Sequence, residues 1–128
     1  MRTFVVVGIF FLAVSTAAAE TASERYGTEY RQCGDADTAS IVRCVDKLVK
    51  QWEARLDAAY KKLTDMTPEA NRREGLKKAQ ELWVQYRDAN CLWYATGEGT
   101  IRRIEAGECM RSMTADRALE LESAAETH

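Results

Sequence analysis

Four cysteines, Cys33, Cys44, Cys91 and Cys109, constrain the folding of this chain most, because the segment ahead of them reads as an export signal. Arg2 supplies a short positive region and Phe4 to Val14 an unbroken apolar run. Ala17-Ala18-Ala19 then meets the small-residue rule for cleavage before Glu20. The run is too short to cross a bilayer, which takes about 20 residues. Residues 1–19 are therefore expected to be removed, leaving a periplasmic or secreted protein with no membrane attachment. In an oxidising compartment an even number of cysteines reads as disulfides. Four cysteines allow about three pairings. The sequential one, Cys33 with Cys44 and Cys91 with Cys109, is favoured because each bridge closes a short loop across a turn. The competing reading is a metal or redox site. It has little support, since no CxxC is present and the only histidine is His128. No metal and no cofactor are expected.

Cleavage leaves 109 of the 128 residues, enough for one domain. The whole chain carries a net charge of −2, and loss of Arg2 makes it −3. Acidic and basic residues are interleaved with no basic stripe, which argues against nucleic-acid binding. The single proline, Pro68, and the scarcity of β-branched runs point to helices.

Residues 20–37 read as an N-terminal arm that could hold a short helix, and 38–125 as the helical domain. Thr38 is a plausible N-cap. Ile41, Val45, Leu48, Trp52, Leu56, Ala59 and Leu63 then recur every three or four residues, the apolar stripe of a helix running to about Thr64. Thr67-Pro68-Glu69 has the chemistry of a second helix start. Leu76, Ala79, Trp83, Tyr86, Asn90 and Trp93 continue that helix to a stop near Gly97, with Gly75 marking a kink or a close approach. Thr96 to Gly107 reads as a loop with room for one helical turn around Ile101 to Glu105. A third helix follows from Gly107 or Glu108, with Met110, Met113, Arg117, Leu121 and Ala124 inward. The expected fold is all-α: a small three-helix bundle, with room for an extra short N-terminal helix, stapled by two disulfides.

Arg117 stands out in an otherwise apolar row. Asp88, beside Cys91 on the second helix, is its natural counter-charge, so an Asp88–Arg117 pair is expected to tie the last two helices together. The alternative leaves Arg87 and Asp88 as solvated surface charges. Catalysis has little to stand on. There is no internal histidine and no nucleophile elbow or HExxH motif. Glu98, Glu105 and Glu108 lie among Arg102 and Arg103 and read as a solvated loop rather than an acid/base pair. The chain is read as a non-enzyme.

One stretch carries a more specific signature. Ala79-Gln80, Trp83, Tyr86-Arg87-Asp88 and Cys91 follow Leu56, Tyr60 and Leu63; then come Gly97-Glu98-Gly99, Cys109-Met110, Thr114 and Arg117. With Cys33 and Cys44 ahead of them, these residues resemble the small cysteine-containing domain of the LprI lysozyme inhibitor family, over roughly Cys33 to Leu121. The resemblance implies a secreted helical domain that inhibits c-type lysozyme. Possible partners are thus lysozyme or another envelope or host protein. The candidate binding element is the loop between the last two helices, where Glu98, Thr100, Arg102 and Arg103 could enter a cleft. The alternative function is a structural or stress-related envelope protein without inhibitory activity, its ligand unknown and held among the tryptophans.

Overall fold

The computed structural model describes residues 22–34 and 36–127, so the proposed export signal at 1–19 lies outside the described residues. Four helices follow one another: α1 (Ala22–Arg31), α2 (Thr38–Met66), α3 (Ala70–Ala95) and α4 (Arg102–Glu126). No strand occurs among the described residues. Disulfides join Cys33 to Cys44 and Cys91 to Cys109, the sequential pairing. The expected stapled bundle is therefore present, with the short N-terminal helix as its fourth member.

The apolar spacing of α2 buries Val45, Trp52, Leu56, Ala59 and Leu63 on one face. Their partner is α4, the central helix, which packs along α2 and less extensively along α3. Val45 approaches Gly107 and Arg55 approaches Glu122, so α2 and α4 run in the same direction. Arg87 of α3 meets Thr114, whereas Gln80 meets Arg117, so α3 runs opposite to both. The core is a seam of bulky α2 residues against small α4 ones, Ala115, Ala118 and Ala125 with Leu121. Leu76 and Trp83 close it from the α3 side.

The ends of α2 and α3 differ from expectation in instructive ways. Asp37, not Thr38, caps α2: its carboxylate accepts from the Ser40 backbone N–H at 3.1 Å and from the Ser40 hydroxyl at 2.6 Å. Thr67 serves the helix before it rather than the one after. Its hydroxyl donates to the Leu63 carbonyl at 2.7 Å and its N–H to that of Thr64. Helix α3 then begins at Ala70, and Arg73 reaches back to the carbonyls of Thr67 and Pro68. Gly75 marks no close approach, since a Cβ there would meet nothing within 4 Å.

Helix α4 starts at Arg102, well before Gly107. Gly107 is a packing residue inside the helix: a Cβ on it would lie 3.1 Å from Val45 Cγ1. The glycine thus admits α2 rather than ending a loop.

The Ser40 hydroxyl, then its backbone N–H, holds the Asp37 carboxyl below its ordinary 3.8. A carboxyl that binds its proton less tightly when folded stabilises the fold above its unfolded pKa and loses that contribution as pH falls through the lowered one. Thermal melts between about pH 5 and 2 are expected to show a smaller acid-induced fall in Tm for Asp37→Asn, which keeps a cap acceptor but cannot titrate.

Candidate functional site

The parallel course of α2 and α4 places the start of α2, the end of α3 and the start of α4 at one end of the bundle. Both disulfides lie there. Cys91 and Cys109 are buried, with Cα atoms 5.5 Å apart, and they clamp the last turns of α3 to the first turns of α4. The connection between these helices is residues 96–101, every one exposed. Gly99, at φ 76°, adopts the left-handed backbone that glycine tolerates best. Arg102 donates to the Gly97 carbonyl and the Arg103 N–H to that of Thr100, both at 3.4 Å, folding the turn onto the α4 start. Gly99, Thr100, Arg102 and Arg103 face Thr38 and Ala39 across a shallow recess.

The expected loop residues are therefore brought together, but on a shorter connection. Glu98 and Thr100 are on the turn, whereas Arg102 and Arg103 are in the first helical turn of α4 and exposed. Ile101, 52% exposed, adds an apolar side chain between them that sequence reading did not single out.

A groove of about 660 Å³ opens beside this end, with α4 contributing Ala106 and Met110, α2 Val42 and Val49, and α3 Leu92 and Ala95. None of the three tryptophans lines it. Trp52 is in the core, Trp83 packs at its edge beneath the Arg87 guanidinium, and Trp93 is 72% exposed on the outside of α3. The tryptophans do not gather around one ligand space.

The expected Asp88–Arg117 pair does not form. Arg117 donates to Gln80 at 3.0 Å and to Glu120 at 2.8 Å. Gln80 is two turns along α3 from Asp88, about 12 Å at 1.5 Å per residue, so the axial register separates the two charges. Asp88 is exposed and pairs with its neighbour Arg87 at 2.9 Å. Arg87 is not a solvated charge either: only 11% of its side chain is exposed, and it crosses to Glu53 of α2 at 3.6 Å and to Thr114 of α4 at 3.3 Å.

The main polar centre was not visible in the sequence pattern. Arg111 is wholly buried and binds Glu29 of α1 at 2.8 Å and Glu108 of α4, whose Oε2 accepts from Nε at 2.8 Å. Glu29 also accepts from Trp52 Nε1 at 2.9 Å, so one carboxylate joins α1, α2 and α4. Burial alone would lower the pKa of Arg111, but the hydrogen bonds and charges of Glu108 and then Glu29 outweigh it and raise the value. Glu29 lies in a segment read as an arm, and Glu108 and Arg111, three residues apart at the expected start of the third helix, carry the only other trace of this centre in the sequence.

Among the described residues no group of three His, Cys, Asp or Glu is placed to hold a metal. No described helix is long and apolar enough to cross a membrane. Comparison with curated proteins and with solved structures finds no match. A family model described as "Lysozyme inhibitor LprI" matches residues 29–121, from the Glu29 hub through both disulfides to the buried Leu121 of α4. That span covers most of the chain and nearly all of the bundle, and the chain belongs to the LprI lysozyme inhibitor family.

Proposed function

We propose that this protein is exported to the periplasm or beyond and there inhibits a c-type lysozyme by binding it, without catalysis of its own. The observation that carries this reading is the family match over residues 29–121. The two disulfides fit an oxidising compartment outside the cytoplasm. The contact element is the turn 96–101 with the first turn of α4.

Three physical features support that placement. The turn is clamped at its base by Cys91–Cys109, so little conformational freedom is lost on binding. It presents exposed Arg102 and Arg103, which suit the carboxylates of a glycoside hydrolase cleft. The net charge of −2 favours approach to a basic partner such as lysozyme.

A turbidity assay of cell-wall lysis tests the reading. Oxidised protein in excess is expected to slow lysis, and Arg102→Glu with Arg103→Glu to weaken inhibition at least about 10-fold through charge reversal at the contact. Because both side chains are exposed, the thermal midpoint of that variant should barely move. Undiminished lysis by c-type lysozyme at excess wild-type protein would overturn the assignment.

A further inference from the structure

Helix α3 carries two stripes, and the fold uses only one. Leu76 and Trp83 face inward, but a second row, Gly75, Ala79, Leu82, Tyr86, Ala89 and Trp93, lies wholly on the exposed side. Its spacing is four, three, four, three, four, the interval of a coiled-coil seam, and none of the six is charged. Leu82 is 52% exposed, Tyr86 63% and Trp93 72%. Two members make no sense within one molecule. Gly75 is a poor helix former with open space around it, and Trp93 is a large ring left in water.

Reversing the row resolves both. The spacing reads the same in either direction, so two α3 helices laid antiparallel bring Gly75 opposite Trp93, Ala79 opposite Ala89 and Leu82 opposite Tyr86. Each layer then sets a small residue against a large one, a small against a small, or two of middling size. This is the self-matching arrangement a two-fold interface requires. Charge selects the same orientation. The first half of α3 is net positive, with Arg72, Arg73, Lys77 and Lys78 against Glu74 and Glu81, and the second half is neutral, with Arg87 balancing Asp88. Antiparallel packing sets the positive half against the neutral one, whereas parallel packing stacks positive on positive.

We infer that the exposed face of α3 is covered by the same face of a second copy, forming an antiparallel two-fold dimer. The row spans about 27 Å of helix. Taking an aromatic ring to bury 150–250 Å², the six residues offer on the order of 500 Å² per copy. The pair therefore covers about 1,000 Å², where specific interfaces begin, and the dimer is weak, with a dissociation constant of about 10–100 µM. The turn 96–101 is outside this row, so the dimer does not depend on lysozyme inhibition.

Sedimentation equilibrium of the purified oxidised protein tests this. The average mass is expected to reach at least about 1.5 times the monomer value at about 100 µM and to approach twice that value near about 1 mM. Tyr86→Lys places two ammonium groups near the two-fold axis and should leave monomer throughout. Gly75→Leu should weaken association at least about 10-fold by filling the space opposite Trp93, while raising the melting temperature of the dilute monomer because leucine is the better helix former. These opposite signs distinguish a lost interface from a damaged fold. Ala79→Cys together with Ala89→Cys should cross-link the dimer covalently. Ala79→Cys alone should not, since its copies would be about 15 Å apart and a disulfide needs Cα atoms within about 7 Å. The inference is overturned by a protein still monomeric near 1 mM, even if Tyr86→Lys weakens lysozyme binding, since the face would then belong to that partner. It is equally overturned by a dimer that survives Tyr86→Lys or cross-links through Ala79→Cys alone.

Discussion

Arg111→Met is expected to destabilise the protein by about 3 kcal/mol, although the two side chains are similar in volume. The guanidinium is wholly buried, so removing it strips Glu29 and Glu108 of the charge that brings them together. Breaking a buried ion pair from one side costs about 3–5 kcal/mol because the remaining charge is left uncompensated. Here the carboxylates are 22% and 30% exposed, so water reaches them and the lower end of that range applies. Arg55 offers the control. It makes a bidentate pair with Glu122 at 2.6 and 2.8 Å and lies 4.5 Å over the Trp52 ring, but it is 48% exposed. Solvent screening limits such a pair to about 1 kcal/mol, and Arg55→Met should cost no more than about that. Urea unfolding followed by circular dichroism compares the two. Adding Glu29→Gln and Glu108→Gln to Arg111→Met should restore part of the loss, because neutral amides no longer repel each other. Equal costs for Arg111 and Arg55 would remove Arg111 from the centre of the fold.

What could be read from the residues, and what could not, follows from how strongly each feature is written in side-chain size. Helix α2 was legible because Trp52, Leu56 and Leu63 are bulky and regularly spaced, and its span came out within two residues. The disulfide pairing was legible because short loops close most easily across turns. Helix α4 was not. Much of its inner row is Ala115, Ala118, Ala125 and Thr114, whose smallness lets α2 approach and leaves little apolar signal, while the larger Met110 and Met113 are only partly buried. The same closeness demands Gly107, which was read as a boundary because glycine more often marks one. Asp88–Arg117 failed for a different reason. Pairing across helices depends on axial register, and register is set by the core seam rather than by the charges themselves. The candidate turn was legible in its composition, while its length was overstated by the misplaced start of α4.

Replacing each disulfide by alanines is expected to separate stability from inhibition. In the chain-entropy picture the Cys91–Cys109 loop, with a sequence separation of 18, and the Cys33–Cys44 loop, with 11, each contribute about 3 kcal/mol and differ by only a few tenths. Loss of Cys91 and Cys109 adds a packing cost, since both are buried, whereas Cys33 and Cys44 are only partly covered. The total for Cys91→Ala with Cys109→Ala is therefore about 4 kcal/mol against about 3 for the other pair. Their effects on inhibition should differ far more. Cys33–Cys44 lies at the same end of the bundle but joins the turn after α1 to α2 and holds neither end of the turn 96–101, so its removal should leave inhibition intact wherever the protein remains folded. Cys91–Cys109 holds both ends of that turn, and without it the proposed binding residues would have to be ordered on contact with lysozyme. Ordering a few backbone residues at about 1–2 kcal/mol each is enough to weaken inhibition by 10-fold or more. The comparison is made at a temperature where circular dichroism shows both variants equally helical, so that unfolding does not mimic lost binding. Equal inhibition by the two folded variants would mean that the clamp at the base of the turn serves the fold alone.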